Sequence, residues 1–349
     1  MKILKDILSR LSDMRGISGF EYSFSEKISE LFRPYADKVY TDTLGNVIAE
    51  KKCGYENAPK IMIEGHMDEI GLMVSEIDEN GFIGFVNVGG IDERILPSSE
   101  VVIHGTKDIK GIIGSKPPHL QTRDESKKAM KPEDMFIDTG YSKEELDSIV
   151  SIGTAITMNQ SVGEMKCGNI SLKALDDRAG VAVILDVMKS VADKKLSADI
   201  YAVATVQEEV GLRGAKTAAY EINPDISISI DVCHGITPDN SKDAFECGCG
   251  AVISLGPNIH PKLGKKLIET ADKNKIPFEI DVDGGYTGTN AWAIQTARMG
   301  VATALLSIPL KYMHNPVETM KISDVEAVRD LIVSFIENTD RNAEDWLCF

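Results

Sequence analysis

The stretch Ala204-Thr-Val-Gln-Glu-Glu-Val-Gly211 reads as a buried strand that runs out onto two adjacent carboxylates, Glu208 and Glu209. Neighbouring side chains at a strand end point to opposite sides, so the pair can divide its work. One acid can grip a cation while the other handles protons. Four other segments end on potential ligands in the same way: Ile61-Met-Ile-Glu-Gly-His66-Met-Asp68, Leu175-Asp176-Asp177-Arg178, Ile228-Ser-Ile-Asp231 and Tyr312-Met-His314. Open α/β sheets bind ligands beyond the carboxyl ends of their strands, which would bring these residues to one place. The chemistry expected there is that of a metal-dependent hydrolase.

Upstream of that strand, apolar residues at 3, 4, 7, 8 and 11 predict an amphipathic helix running to about Met14. A second helix ends near Pro34. Short strands follow over residues 38–41 and 46–51, with a turn at 42–45 between them, and an apolar strand over 60–64 delivers His66. The texture changes after Gly71. Short alternating runs, Phe82-Ile-Gly-Phe-Val-Asn-Val88, Val101-Val-Ile-His104 and Gly111-Ile-Ile-Gly114, predict a small β-barrel or sandwich. Residues 119–134, charged and aperiodic, read as a loop. Helical periodicity returns over 178–190, and strands are expected over 199–206, 226–230, 251–255, 278–282 and 302–306. Ser323-Asp-Val-Glu326 has the pattern of a capping box opening a last helix that ends near Asn338. The expected architecture is α/β: a mixed-sheet α/β domain over residues 1–70 plus 165–349, interrupted by an inserted, β-barrel-like domain over 71–164.

Composition narrows the function. A chain of 349 residues with 43% hydrophobic and 26% charged residues suits two domains with a real core. The formal net charge is −16, and no cluster of Lys and Arg breaks it, so nucleic acid is excluded as a partner. The first helix lacks the unbroken apolar core of a signal peptide, and no stretch is long enough for a membrane span. The six cysteines (Cys53, Cys167, Cys233, Cys247, Cys249 and Cys348) are scattered, as suits reduced thiols in a cytoplasmic protein. Cys247-Gly-Cys249 has no second pair at zinc-site spacing and reads as buried thiols.

Single residues carry little weight alone. A lone histidine is usually a packed or surface residue, and His104, His119, His234 and His260 are read so. His66 differs because Asp68, two residues on, can accept the second imidazole N–H and fix the tautomer. Asp176-Asp177 alone would be a helix N-cap, although an Asp at that place can also bridge two cations. Five such signals at successive element ends carry the argument together.

Those motifs also resemble a known family. Glu64-Gly-His-Met-Asp-Glu-Ile-Gly71, Ala174-Leu-Asp-Asp-Arg178, Gln207-Glu-Glu-Val-Gly-Leu-Arg-Gly-Ala215, Asp231-Val-Cys-His234 and Lys311-Tyr-Met-His-Asn-Pro-Val317 look like the tetrahedral aminopeptidases. This is a family of dinuclear metallopeptidases that includes glutamyl aminopeptidases, and some members carry an endoglucanase-like name. The likeness spans nearly the whole chain. It implies that Asp176 bridges two divalent ions, with His66 and Asp231 completing one ligand set and Glu209 and His314 the other. Glu208 would be the general base and Asp68 would orient His66. Spacing alone leaves Asp177 open as the bridge, and Glu208 and Glu209 interchangeable. Two histidines and three carboxylates suit Zn, Co or Mn, with no call for thiolates. The resemblance further implies peptide substrates cleaved at the N-terminus, dimers formed through the inserted domain, and a dodecameric homo-oligomer. One departure stands out: Asn290, in Gly284-Gly-Tyr-Thr-Gly-Thr-Asn290, occupies a place where relatives usually carry Asp. By itself Asn290 reads as a helix N-cap.

Three other functions compete. A metal-dependent carboxypeptidase or N-acyl-amino-acid amidohydrolase would use much the same shell. A glycoside hydrolase would need two opposed carboxylates and no metal, which leaves His66 and His314 without work. A non-catalytic metal scaffold would be expected to have lost its base, yet Glu208 is present.

Overall fold

The computed structural model describes residues 2–123, 128–159 and 163–347. Two helices open the chain, α1 (Lys2–Ser12) and α2 (Tyr22–Phe32), followed by strands β1 (Lys38–Thr41), β2 (Val47–Lys51) and β3 (Lys60–His66). Leu4, Leu8 and Leu11 of α1 and Phe24, Ile28 and Phe32 of α2 are all buried, the packed face that the sequence spacing demands. The turn between β1 and β2 is built by Asp42, whose Oδ1 accepts the backbone N–H groups of Leu44, Gly45 and Asn46 at 2.8–2.9 Å.

Past β3 the chain enters a closed antiparallel barrel. Its strands are β4 (Gly71–Ile77), β5 (Ile83–Val88), β6 (Glu100–His104), β7 (Asp108–Gly114), β8 (Phe136–Asp138) and β9 (Ala155–Met158), in the order β4-β5-β8-β7-β6-β9. Leu72, Val74, Ile83, Phe85, Val101, Ile103, Ile113, Ile137 and Ile156 alternate inward to form a core of their own. A short helix, α3 (Lys143–Asp147), begins with a capping box between Ser142 and Glu145. The segment expected to be a loop holds only short 3-10 turns, Pro118–Leu120 and Pro132–Asp134, among its described residues. Residues 124–127 of that segment, like Cys348, lie outside the described residues.

The rest completes one large mixed sheet. Its elements are β10 (Gly163–Glu164), β11 (Asn169–Leu172), α4 (Leu175–Val191), β12 (Asp199–Thr205), α5 (Arg213–Ile222), β13 (Ile226–His234), β14 (Ala251–Leu255), α6 (Pro261–Asn274) and β15 (Phe278–Val282). After these come α7 (Asn290–Gln295), β16 (Ala302–Lys311), β17 (Glu318–Lys321), α8 (Ile322–Asn338) and α9 (Ala343–Leu347). Among the described residues the sheet has 11 strands in the order β1-β2-β12-β3-β13-β16-β17-β11-β10, with β14 and β15 branching from β16. Its centre, β12-β3-β13-β16, is parallel. These strands are buried along almost their whole length because helices cover both faces, so they read as continuous apolar runs without alternation. Helices α1, α2, α4 and α8 pack on one face, while α5 and α7 close over Ile48, Met62, Tyr201 and Val203 on the other.

Two local expectations differ from the outcome. Ser323 does not cap the last helix, which starts at Ile322 after Lys321 with no side-chain cap. Its neighbour Asp324 is buried and accepts the backbone N–H groups of Gly248 at 2.6 Å and Gly250 at 3.0 Å. A long-range demand for a buried acceptor sets the register here in place of local capping. Similarly, Asn290 is the first residue of α7, whose N-cap is Thr289. The Asn290 amide donates to Glu64 Oε2 and Thr205 Oγ1 at 3.0 Å in a buried cluster, away from the lining of the cleft described next.

Candidate active site

Parallel strands present their carboxyl ends on one side of a sheet, and the central four do so here. His66 is the last residue of β3, Glu208 and Glu209 follow β12, and His314 follows β16. Asp231 lies inside β13, which runs on to His234, further than the apolar pattern alone predicts. Asp176 comes from the opening of α4, on the face that packs beneath β3. All five sequence-predicted ligands and Glu208 line a single cleft of about 800 Å³.

Donor atoms meet closely. Asp176 lies between the two histidines, with Oδ1 at 3.1 Å from His66 Nε2 and Oδ2 at 3.4 Å from His314 Nε2. Glu209 Oε1 is 3.4 Å from the same His314 nitrogen. Among the described residues, three sets have donor atoms all within 4.8 Å of one another: His66, Asp176 and Asp231; Asp176, Glu209 and His314; and His66, Glu208 and Glu209. None of these sets contains a cysteine, and Cys247 and Cys249 lie apart as partly buried thiols.

Backbone geometry separates Asp176 from Asp177. Neither has helical backbone angles, and the peptide between them is cis. Asp177 faces away from the cleft: its Oδ1 accepts Gly180 N–H at 2.9 Å and its Oδ2 accepts His66 N–H at 3.2 Å. A Cβ on Gly180 would fall 2.3 Å from that carboxylate, so glycine is what admits it. Asp177 thus works as a helix cap and as a support for β3.

Asp68 serves a different set of partners from those expected. His66 Nδ1 donates to the Asp68 backbone carbonyl at 3.2 Å, whereas the Asp68 carboxylate is 3.6 Å away, beyond hydrogen-bond length. That carboxylate instead accepts Ser18 Oγ–H at 2.6 Å and the backbone N–H groups of Glu208 at 3.0 Å and Glu209 at 3.2 Å. It fixes the loop that carries both glutamates.

Two residues of the site, Glu318 and Gly90, have no motif to announce them. Glu318, the first residue of β17, is buried and accepts the N–H of Asp176 at 3.1 Å and of His314 at 2.9 Å. The only sequence signal is an acid four residues beyond His314. The barrel contributes Gly90, whose carbonyl accepts from His314 Nδ1 at 2.8 Å. Glu69 is buried against Arg178 at 2.8 Å and Lys173 at 2.6 Å, tying α4 to the turn after β3. Of the histidines set aside from the sequence, His104 bonds Asp108 and Thr157 outside the cleft, and His234 lines the cleft rim.

The electrostatics call for cations. Burial, opposed by His66 and reinforced by neighbouring acids, pushes Glu208 up to about 8; burial and Asp176 do the same for Glu209. Burial and Asp176 likewise raise Asp231 well above the carboxylate range. A hydrogen bond to Asp176 holds His314 up to about 10. Among the described residues the ion-pair partners of Asp176 and Glu209 are the imidazoles of His66 and His314, and divalent ions bind such N/O donor sets readily. The residues present fit a pair of cations.

Comparison with known proteins agrees with the site. The model of the M42 glutamyl aminopeptidase family matches residues 45–331. A lysyl aminopeptidase of Pyrococcus furiosus is 35% identical over 95% of this chain and 96% of its own length. An aminopeptidase of the archaeon Desulfurococcus kamchatkensis superposes with a TM-score of 0.91 at 36% identity, covering 99% of this chain and 97% of that one. The TET1 peptidase of Pyrococcus horikoshii, reported to assemble into a tetrahedron or a large octahedral shell, superposes with a TM-score of 0.86 at 32% identity, covering 96% of this chain and all of its own. On the strength of its fold, its convergent acids and histidines and these likenesses, the chain belongs to the M42 glutamyl aminopeptidase family and is an aminopeptidase, a hydrolase of peptide bonds.

Proposed function

We propose that the chain is a co-catalytic dinuclear metallo-aminopeptidase that removes N-terminal residues from peptides. The observation that carries this reading is the sharing of Asp176 between two donor sets, one with His66 and Asp231, the other with Glu209 and His314. In this assignment Asp176 bridges, each remaining pair completes one ligand set, and Glu208 is left free as the general base. The alternative set of His66, Glu208 and Glu209 uses fewer of the converging residues and leaves the site without a base. The donor set suits zinc or cobalt best, and manganese next. Two divalent cations held there would supply the charge that acidifies a water and polarises the scissile carbonyl.

The chain's own groups do the rest. Glu208 takes the proton of the attacking water and returns it to the leaving amine. Asp68, through the N–H groups of Glu208 and Glu209, holds both acids in place, and its backbone carbonyl sets the tautomer of His66. Glu318 and Gly90 do the same service for Asp176 and His314. The acidic floor attracts a free α-ammonium, which favours action at the amino end over carboxypeptidase or N-acyl amidohydrolase action. Glycoside hydrolysis would leave His66 and His314 unused.

The same reading divides the chain into a catalytic domain, residues 1–70 plus 165–349, and an inserted domain, residues 71–164, through which dimers form and build a dodecamer. Its support is the separate core of the barrel and the assembly reported for the Pyrococcus horikoshii relative. Among the described residues no helix is long and apolar enough to cross a membrane. The five free cysteines among them suit a reducing cytoplasm.

The test is a panel of aminoacyl-p-nitroanilides assayed on metal-stripped protein with Zn, Co or Mn restored, beside N-acetylated controls. Glu208→Gln is expected to keep two ions per chain by elemental analysis while kcat falls by roughly 100-fold or more. Full activity in that variant removes the base assignment.

A further inference from the structure

The register of the sheet lays out the floor of the cleft beyond the cation ligands. Asp231 of β13 pairs with Ser307 of β16, and Ser307 pairs in turn with Val252 of β14. Two residues along β14, Ser254 pairs with Asp281 of β15. Residues paired across strands share a face, as do residues two apart on one strand. Asp231, Ser307, Ser254 and Asp281 therefore form one polar row crossing four adjacent strands, and all four line the cleft.

One member of that row lacks what a buried polar group needs, and another, half-buried, lacks a counter-charge among the described residues. Ser254 is 1% exposed, and its hydroxyl has no hydrogen-bond partner among the described residues. A buried hydroxyl left in that state is costly unless a ligand completes it. Among the described residues no Lys or Arg forms an ion pair with Asp281, and burial together with the Asp283 carboxylate pushes it above the usual carboxylate range. Asp283 lines the cleft as well. The one lysine among the lining residues, Lys242, is exposed and sits beside Asp243.

We propose that this row receives the side chain of the substrate's N-terminal residue and selects a cationic one, lysine or arginine. The assignment rests on the aminopeptidase reading, in which the substrate's α-amine lies against the acidic ligand set. About three strand spacings, on the order of 14 Å, separate Asp231 from Asp281 across the sheet. The acid therefore meets the tip of a long side chain. The methylenes lie over buried Leu305, and the terminal ammonium or guanidinium donates to Asp281 and to the empty acceptor of Ser254. A glutamyl side chain would instead meet Asp281 and Asp283 with like charge. The lysyl preference named for one relative and the glutamyl name of the family point in opposite directions, so the decision belongs to this chain's own residues.

The experiment compares kcat/KM for lysyl-, arginyl-, leucyl- and glutamyl-p-nitroanilide on the metal-loaded full chain, with Asp281→Asn and Ser254→Ala beside the wild type. Lysyl and arginyl substrates are expected to lead by roughly tenfold or more, and Asp281→Asn to lower the lysyl-to-leucyl ratio by a similar factor. Ser254→Ala moves the same ratio in the same direction by a smaller factor, and gives a second reading should Asp281→Asn fold poorly. Free L-lysine is expected to inhibit leucyl hydrolysis competitively and more strongly than L-leucine or L-glutamate. A wild type that prefers leucyl or glutamyl substrates, or a ratio unchanged in both variants, overturns the pocket assignment and leaves the aminopeptidase reading intact. Cleavage of N-acetylated substrates alone overturns both.

Discussion

Asp176 and Asp177 are chemically identical neighbours with opposite work, and the split is made by backbone direction alone. One carboxylate enters the cleft between two imidazoles; the other turns back to cap α4. Glu21 shows how far the same logic reaches. It is buried, accepts Gln207 N–H at 3.0 Å, and is raised to about 7 by burial and by the charge of Asp68. A folded-state pKa above the ordinary glutamate value of 4.5 means that the native chain holds a proton the unfolded chain releases. The stability contributed by Glu21 is thus fully present below about 4.5 and is lost as pH rises through 7. Glu21→Gln keeps the acceptor and removes the titration. Its stability relative to wild type should rise by about 3 kcal/mol between pH 4.5 and pH 8, read from denaturant midpoints across that range. A difference that stays flat with pH removes the assignment.

Helix α4 is the element that binds the site to the core. It is buried on nearly every side, and its Arg178 is fully enclosed. The guanidinium donates to Glu69 and to the backbone carbonyls of Leu11, Met14 and Met67, with Phe24 beneath it at 4.5 Å. It closes the end of α1 and the turn after β3 at once. Against the penalty of burial, Arg178 and Lys173 hold Glu69 below the carboxylate range. Arg178→Met leaves Glu69 buried with half of its compensation, and is expected to destabilise by roughly 3–5 kcal/mol. Thermal melting of the metal-free protein measures this, and a loss below about 1 kcal/mol would show the network to be dispensable.

At the scale of the molecule, two packing units meet at the cleft. The sheet supplies the acids, and the barrel reaches across with Gly90 to hold His314. Such a crowd of buried carboxylates repels itself, and under the dinuclear reading cations relieve it, so metal binding should be strongly linked to folding. Chelation is expected to lower Tm by roughly 10 °C, with recovery on adding back zinc or cobalt. An unchanged Tm would mean that the acids are balanced some other way.

Much of this was written in the chain. Apolar runs bounded by Gly, Asp and Pro placed the central strands to within a few residues, because strands covered on both faces must be continuously apolar. His66, Glu208, Glu209, Asp231 and His314 stood out because each follows or closes such a run, and parallel strands carry those ends to one edge; the pair Asp176-Asp177 stood out at a helix start, and the family resemblance pointed to its first member. Spacing could not tell which of Asp176 and Asp177 enters the cleft, and tertiary structure alone decided that Ser323 leaves capping aside while Asp324 serves Gly248 and Gly250, and that Asp68 braces the loop of Glu208 and Glu209. It also recruited Glu318 and Gly90. The physical reason is that local pattern reports what a residue can bury, but buried carboxylates such as Glu318 and Asp68 take partners from donors that lie far away in sequence, and only the folded backbone brings those to 3.0–3.1 Å.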